Sequence, residues 1–272
     1  MPELPEVETI CNKLRIGTEG QPSILGTTIH NATVLWPKTV AYPSSEQFQS
    51  LIVGQSILRI GRRGKYLLFH LSSDTLLIHL RMSGDIGIGL CHEEVAKHDR
   101  IVLNFEDGRR LAFNDPRKFG RAWLVADPQV VLANLGPEPL DLSFKVEDFY
   151  LRLQTYHRQV KPLLIDQKFI AGIGNIYADE ALHLARINPK RLSDTLSLSQ
   201  SERLLEGIRS VLREGIRRNG ASIDWAYRGG DFQNYFRVHL RAGEACPECQ
   251  TPIQKITVGQ RGTYFCPTCQ PI

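Results

Sequence analysis

The stretch CPECQTPIQKITVGQRGTYFCPTC, residues 246–269, contains four of the six cysteines of the chain. They form two Cys-x-x-Cys pairs with sixteen residues between the pairs. This spacing is typical of a structural zinc site with four cysteine ligands, and it argues against four unrelated buried cysteines. A site closed by four thiolates folds its module and leaves no open position for catalysis. We therefore predict one structural Zn²⁺ bound by Cys246, Cys249, Cys266 and Cys269.

The segment between the two cysteine pairs predicts a small β-hairpin. Gly243 and Gly262 suit its tight turns. The tip of the hairpin, residues 260–263, presents the cation of Arg261 on a rigid loop. The two remaining cysteines, Cys11 and Cys91, are isolated, and we expect them to be small core residues.

The composition predicts a globular protein with room for more than one domain. The chain has 272 residues, of which 42% are hydrophobic and 23% are charged. Its formal net charge of +4 permits an anionic partner but does not require one. No apolar run has the length of a membrane span, and the N-terminus is acidic where a signal peptide is basic. We therefore expect a soluble, cytoplasmic protein with no membrane partner.

The patterns along the chain predict an α+β architecture. An N-terminal helix, with Pro5 in its first position and Gly17 at its end, precedes a long region of short apolar runs. Turn signals separate these runs, which predicts an antiparallel β-sandwich or barrel with one short helix near residues 45–53. The predicted strands cover residues 27–35, 55–60, 66–71, 75–80, 101–105, 110–113 and 122–125.

The second half of the chain is predicted to be helical. It follows a linker at residues 135–139 and contains one long amphipathic helix, for which Ser199 and Glu202 predict a capping box. Together with the cysteine module, these patterns divide the chain into three predicted domains. They are residues 1–135, residues 136–240 and residues 241–272.

Four further features have both a functional and an ordinary explanation. The motif GIGNIY, residues 172–177, suits a phosphate at a helix N-terminus, but taken alone it favours a plain turn between helices. Basic residues lie beside several turns, where solvated edges are the usual explanation. Phe119 lies between such residues and suits base stacking, whereas Met82 taken alone favours a core position.

The N-terminus is the fourth of these features. Removal of Met1 would leave Pro2 with a free secondary amine, which can attack an electrophilic carbon and form an iminium. The neighbouring carboxyl group of Glu3 can then act as acid or base. Taken alone, the segment favours an ordinary helix start.

Seven segments follow one another along nearly the whole chain: MPELPEVET (1–9), RRGKYL (62–67), KHD (97–99), NDPRKFG (114–120), LGPEP (135–139), GIGNIY (172–177) and QRGTYFCP (260–267). Together they resemble the bacterial formamidopyrimidine-DNA glycosylases. The resemblance implies a β-sandwich with flanking helices, a helix–two-turn–helix domain and a zinc finger. It also implies a DNA glycosylase and AP lyase that acts on double-stranded DNA containing an oxidised base or an abasic site. We expect such an enzyme to be a monomer in the cytoplasm, associated with the nucleoid.

The resemblance implies specific catalytic roles for four residues. Pro2 corresponds to the nucleophile that attacks C1′ of the damaged nucleotide, and Glu3 to the general acid and base. Lys65 corresponds to a lysine near the reacting phosphate. Arg261 corresponds to the arginine that binds the flanking phosphate during δ-elimination.

The resemblance also implies DNA contacts. His98, Arg117 and Asn175 occupy DNA-contacting positions of the family. Met82, Arg117 and Phe119 correspond to the three residues that fill the gap left by the everted nucleotide, which must leave the duplex before its sugar can react.

Some positions depart from the family pattern. The segment 237–241 differs from it, and residues 17–23 resemble a small insertion. The loop at residues 228–234 lies where the family recognises the everted base, but this loop is variable, so the resemblance assigns no contacts in it. The family also has a basic DNA contact shortly before the segment that resembles Lys161–Pro162, and for this contact we favour His157 over Arg158.

Two alternative functions remain open. One is a glycosylase of the endonuclease VIII type, which acts on oxidised pyrimidines; Leu4 stands where that branch usually has Gly, so oxidised purines are favoured. The other is a non-catalytic zinc-finger DNA-binding protein, against which the intact Pro2 and Glu3 argue.

Overall fold

The computed structural model describes residues 1–222 and 229–272. It divides into two compact units, residues 1–133 with 221–230 and residues 134–220 with 231–272. The described helices include none that is long and apolar enough to cross a membrane. Arg228, the first residue of the variable loop at residues 228–234, lies outside the described residues.

The first unit begins with helix α1, Leu4–Ile16, whose N-cap is Glu3. Pro5 is therefore the second helical residue rather than the first, and Gly17 ends the helix with a φ of 86°. Apolar side chains at helical spacing, such as Val7 and Ile10, are buried in the core. The unit also contains helices α2, Ser45–Ile52, and α3, Gln129–Leu132.

Eleven described strands complete the first unit. They are β1 Gly17–Thr18, β2 Gln21–Pro22, β3 Ile29–Val34, β4 Val40–Tyr42, β5 Ile57–Arg63, β6 Tyr66–Leu71, β7 Thr75–His79, β8 Asp85–Leu90, β9 Asp99–Phe105, β10 Arg109–Asn114 and β11 Arg121–Val125.

Most of these strands form the two sheets of a sandwich. One sheet has the order β3-β9-β10-β8 and the other the order β4-β11-β7-β6-β5, while β1 and β2 form a separate hairpin. All neighbours are antiparallel except β4 and β11. Buried residues of both sheets, including Phe69, Leu103 and Phe113, join one hydrophobic core with α1. The predicted β-sandwich with flanking helices is confirmed.

Several parts of this unit differ from the sequence-based expectation, among them the short strand β4, which was not predicted. Strand β8 was not predicted because its sequence, DIGIGL, alternates with glycine, which weakens the strand signal at this sheet edge. The expected insertion near residues 17–23 contains the β1–β2 hairpin. Cys11 is buried as expected, whereas Cys91 is exposed.

The second unit contains the predicted helical region. Its helices are α4 Val146–Gln154, α5 Val160–Ile165, α6 Asn175–Ala185 and α7 Leu198–Arg217. The capping box of α7 is formed by Ser197 and Gln200 rather than by Ser199 and Glu202. Both pairs fit the sequence pattern, but in the structure the Ser197 hydroxyl accepts from the backbone N–H of Gln200, and the Gln200 side chain accepts from the backbone N–H of Ser197.

The C-terminal hairpin pairs strand β12, Gln254–Val258, with strand β13, Arg261–Phe265. The connecting residues Gly259 and Gln260 both have positive φ, at 55° and 61°, as a tight two-residue hairpin requires. The expectation that Gly262 forms this turn was wrong, because Gly262 lies within β13.

Candidate functional site

The N-terminal residues are buried at the start of α1. Both Pro2 and Glu3 are buried. The carboxylate of Glu6, itself only 2% exposed, accepts hydrogen bonds from the backbone N–H groups of Glu3, at 2.7 Å, and Ala221, at 2.8 Å. Glu6 therefore fixes the backbone of Glu3. Local sequence patterns do not indicate this role, because Ala221 is far from Glu6 along the chain.

Lys65 lies in the tight turn between β5 and β6 and is 4% exposed. Two contacts attach α1 to the end of β5 that leads into this turn. The Cys11 thiol donates to the carbonyl of Gly61 at 3.0 Å, and the Arg62 guanidinium donates to the Glu8 carboxylate at 3.0 Å. Glu8 lies nearer the N-terminus of α1 than Cys11 does, and its partner Arg62 lies nearer the Lys65 turn than Gly61 does. The buried N-terminus of the helix therefore lies on the side of the Lys65 turn.

His79 is a buried histidine near this turn. Burial, with smaller contributions from the cations of Arg81 and Lys65, lowers the pKa of His79 to about 3. The imidazole is therefore neutral at pH 7, and its Nδ1 accepts a hydrogen bond from the backbone N–H of Arg81 at 3.0 Å. The side chain of Tyr66 packs edge-on against the ring, with 4.7 Å between centroids. His79 thus holds the backbone next to Met82.

The three residues assigned to filling the gap are exposed on two loops of the first unit. Met82 is 42% exposed and Phe119 is 48% exposed, and Arg117 is also exposed. The Arg117 guanidinium lies 5.0 Å from the centre of the Phe119 ring, a cation–π arrangement. Exposure of a large thioether and an aromatic ring beside cations suits insertion between bases. Met82 is therefore not the core residue that its sequence context alone favoured.

Hydrogen bonds connect His98 to the loop that carries Arg117 and Phe119. Its carbonyl accepts from the backbone N–H of Asp115 at 2.8 Å. Its Nδ1 lies 3.3 Å from a guanidinium nitrogen of Arg100. Arg100 also donates to the carbonyl of Asp115 at 2.7 Å. Asp115, which sequence patterns did not indicate, is hydrogen-bonded to His98, to Arg117 and to Ser83, the residue after Met82.

In the second unit the structure brings Asn175 and Arg261 together. Asn175 is the first residue of α6, after the N-cap Gly174, and its side-chain amide donates to the carbonyl of Gly262 at 3.1 Å. Arg261 precedes Gly262 and is exposed. The hairpin tip also packs on α5, because a Cβ on Gly259 would meet Pro162 at 2.5 Å.

A buried ion pair supports this junction. The Lys161 ammonium and the Asp179 carboxylate, 2.6 Å apart, are both fully buried. Lys161 also donates to the carbonyl of Gly262 at 3.1 Å and to the hydroxyl of Thr263 at 2.7 Å. The other Asp179 oxygen lies 2.8 Å from Nδ1 of His239. Sequence reasoning missed this pair because its two members lie on different helices and show no local pattern.

The two candidate basic contacts before α5 are both exposed and both face carboxylates. Nδ1 of His157 lies 2.7 Å from the Asp194 carboxylate, and the Arg158 guanidinium lies 2.9 Å from the Asp166 carboxylate. Both side chains therefore remain at the surface of the second unit.

The four predicted zinc ligands are clustered. Their sulfur atoms all lie within 4.8 Å of one another. A tetrahedral site with Zn–S bonds of about 2.3 Å places its sulfurs about 3.8 Å apart, so the cluster fits Zn²⁺. Burial and the neighbouring thiols raise the pKa of Cys269, whereas hydrogen bonds from Thr251 lower the pKa of Cys249. A bound cation favours the thiolate form of all four ligands. Nε2 of the buried His183 lies 3.4 Å from the sulfur of Cys246, within reach of a bound thiolate.

Three family models match the chain. The formamidopyrimidine-DNA glycosylase N-terminal domain matches residues 1–122, and the H2TH domain of the same enzymes matches residues 135–226. The zinc finger found in FPG and IleRS matches residues 243–272. This last match and the sulfur cluster establish that the chain binds one structural Zn²⁺.

Known proteins resemble the chain along its whole length. The formamidopyrimidine-DNA glycosylase of Chloroflexus aurantiacus is 46% identical over 278 residues, covering 99% of this chain and 98% of the relative. The structure of Lactococcus lactis FPG with DNA containing FAPY-dG aligns with a TM-score of 0.90 at 36% identity, covering 99% of this chain and all of that one. The complex of the L. lactis protein with DNA containing an abasic site aligns at 0.91, with the same identity and coverage. The chain therefore belongs to the formamidopyrimidine-DNA glycosylase family.

Proposed function

We propose that this protein is a base-excision-repair DNA glycosylase with AP lyase activity, which removes oxidised purines from double-stranded DNA. The observation that carries this proposal is the buried N-terminal pair Pro2–Glu3 on the side of the Lys65 turn. Solved relatives that hold a formamidopyrimidine lesion or an abasic site in DNA support the substrate class.

The chemistry begins after removal of Met1, when Pro2 carries a secondary amine. Its nitrogen forms a bond to C1′ as the bond from C1′ to the damaged base breaks, and the departing base takes up a proton. Opening of the sugar ring then gives an iminium, which withdraws electrons from the neighbouring carbons. Glu3 supplies and removes the protons of these steps.

Strand cleavage follows from the same iminium. Loss of a proton from C2′ expels the 3′ phosphate, and loss of a second proton then expels the 5′ phosphate. Lys65 and Arg261 stabilise the negative charge of the reacting and flanking phosphates. The product is a gap with a phosphate at each end.

DNA binding engages groups on both units. Asn175 at the N-terminus of α6 and Arg261 on the adjacent hairpin form one phosphate-binding position, because backbone N–H groups and a cation both favour an anion there. His98 and His157 contact the DNA backbone at other positions. Met82, Arg117 and Phe119 enter the duplex and fill the space of the everted nucleotide.

The lesion class can be tested directly. Duplexes containing either 8-oxoguanine or thymine glycol opposite cytosine or adenine separate the purine and pyrimidine branches of the family. We expect faster excision of 8-oxoguanine and products with phosphates at both ends of the gap. A strong preference for thymine glycol would instead assign the chain to the endonuclease VIII type.

The same assay distinguishes an enzyme from a DNA-binding protein on the same scaffold. The Glu3→Gln variant should lose base excision, because the amide can neither donate nor accept the required proton. Binding to the lesion duplex should persist, because Glu3 makes no proposed DNA contact. If the unaltered protein binds the duplex tightly and releases no base, the protein is not a glycosylase.

We further propose that the protein acts as a monomer on cytoplasmic, nucleoid DNA. We also propose that residues 1–135, 136–240 and 241–272 are its domains. Light scattering of the protein alone and with a lesion duplex tests whether it is a monomer. We expect one protein molecule per duplex.

A further inference from the structure

Asp115 is a buried carboxylate beneath the exposed loops that carry Met82, Arg117 and Phe119. It is 0% exposed, although its chain neighbours include the exposed residues of these loops. Burial of a carboxylate without partners is costly, so its hydrogen bonds define what it does.

The two carboxylate oxygens of Asp115 hold both loops at once. Oδ1 accepts from the hydroxyl of Ser83, the residue after Met82. The same oxygen lies 3.3 Å from the backbone N–H of Arg117, which also lies 3.3 Å from the Ser83 hydroxyl oxygen. Oδ2 accepts from the backbone N–H of Gly120, the residue after Phe119, at 2.6 Å. Each of the three residues assigned to the gap is therefore hydrogen-bonded to this carboxylate or lies next to a residue that is.

The loops also pack on one common side chain. An added Cβ on Gly84 would meet the Phe113 ring at 2.8 Å, and one on Gly120 would meet it at 2.3 Å. The ring of Phe113 is fully buried. Both loops thus close against the same ring, and small residues at these two positions are required for that approach.

The loop backbones adopt conformations that need external support. Arg81 has a φ of 56° and Lys118 a φ of 60°, in the left-handed region that non-glycine residues rarely adopt. Each lies next to a residue assigned to the gap. Such conformations persist only where surrounding contacts enforce them. His79 supplies one of these contacts to Arg81, and Asp115 accepts from Lys118 through its backbone carbonyl at 3.3 Å.

We propose that Asp115, acting through Ser83, is a positioning residue that holds the Met82 loop and the Arg117–Phe119 loop in one arrangement for filling the gap in the duplex. It touches neither the substrate nor the reacting atoms. This inference rests on the proposed function, because it concerns the step in which the damaged nucleotide leaves the duplex.

The test compares Asp115→Asn and Ser83→Ala with an exposed control, Asp107→Asn, whose carboxylate pairs with Arg109 on a distant turn. Two substrates separate positioning from chemistry: an 8-oxoguanine duplex, in which the gap must be filled, and a single-stranded abasic oligonucleotide, which has no partner strand. A 2-aminopurine opposite the lesion reports by fluorescence whether the loops enter the stack.

We expect Asp115→Asn to lower kcat/KM on the duplex at least about tenfold, because the amide replaces an acceptor by a donor facing other donors. Ser83→Ala should show a smaller loss. The double variant should be no worse than Asp115→Asn alone, because both act through one contact. In both single variants, borohydride trapping on the single strand should stay within about twofold of the value for the unaltered protein. Their 2-aminopurine fluorescence on the duplex should be lower than with the unaltered protein. The control Asp107→Asn should change none of these values.

Two outcomes would overturn this proposal, and a third would overturn the proposed function on which it rests. Ser83→Ala and Asp115→Asn could both excise from the duplex at the unaltered rate. Trapping on the single strand could fall as much as duplex excision, which would indicate general damage to the protein. If Asp115→Asn does not fold, Ser83→Ala alone decides between these results. Failure of the unaltered protein to trap on either substrate would overturn the proposed function itself.

Discussion

Burial sets the protonation state of His79, and this makes stability depend on pH. The pKa of His79 is about 3 in the folded chain, below its ordinary value of 6.5, chiefly because of burial. Between these values the unfolded chain binds a proton that the folded chain does not. Stability is therefore full above about pH 6.5 and falls as pH decreases, by at most about 1.4 kcal/mol per pH unit from this group.

The variant His79→Asn isolates this effect. Its side-chain oxygen can still accept from the backbone N–H of Arg81, but it does not titrate. We expect its melting temperature to decrease less between pH 7 and pH 4 than that of the unaltered protein. His30→Asn, at an exposed position, is the control. An identical decrease in all three proteins would show that His79 does not contribute.

The Lys161–Asp179 pair makes a different prediction at the same scale. Lys161→Met leaves the Asp179 carboxylate buried without its cation, which costs about 3–5 kcal/mol. It also removes two hydrogen bonds to the hairpin, at Gly262 and Thr263. Hydrogen exchange of the β12–β13 amides should accelerate, while the exposed control Lys190→Met leaves it unchanged. Unchanged exchange in Lys161→Met would rule out this anchoring role.

At the scale of elements, regular strands and helices were predictable and their junctions were not. Strand β6 has its predicted bounds, and α2 differs from its predicted end by one residue, because apolar periodicity defines such elements locally. The glycine-rich β8 gave no such signal. The capping box of α7 was misplaced because two overlapping patterns competed.

In the candidate site, too, some residues were predictable from the sequence and others were not. The cysteine spacing alone predicted the sulfur cluster, and the family resemblance supplied the roles of Pro2 and Glu3. Asp115 and Asp179 were missed, because their importance depends on which distant residues the fold brings to them. Sequence patterns report neighbours along the chain, whereas these carboxylates bind neighbours in space.

The zinc finger is an element whose folding depends on its ion. Cys249→Ser removes one of four ligands, so we expect loss of zinc and of the hairpin structure that carries Arg261. The first unit has its own hydrophobic core and should stay folded. Zinc content, hydrogen exchange of the sandwich strands and affinity for a lesion duplex check these points. Tight DNA binding by the zinc-free variant would contradict the proposed role of the hairpin.

At the scale of the whole molecule, the placement of cations matters more than the net charge of +4. If Arg261 neutralises one phosphate, Arg261→Ala should reduce the slope of log affinity against log salt concentration by about 1. It should also slow the second elimination step more than the first, because Arg261 is proposed to act on the flanking phosphate. Arg203→Ala, at an exposed position on α7, should leave the slope unchanged. An unaltered slope in Arg261→Ala would exclude the proposed phosphate contact.

In the proposed mechanism, the amine of Pro2 forms a covalent bond with the damaged nucleotide. The most direct measurement is borohydride reduction of the protein mixed with an 8-oxoguanine duplex, followed by mass spectrometry of the N-terminal peptide. We expect a stable protein–DNA adduct on Pro2, in protein from which Met1 has been removed. No adduct, or an adduct on a lysine with Pro2 unmodified, would contradict it.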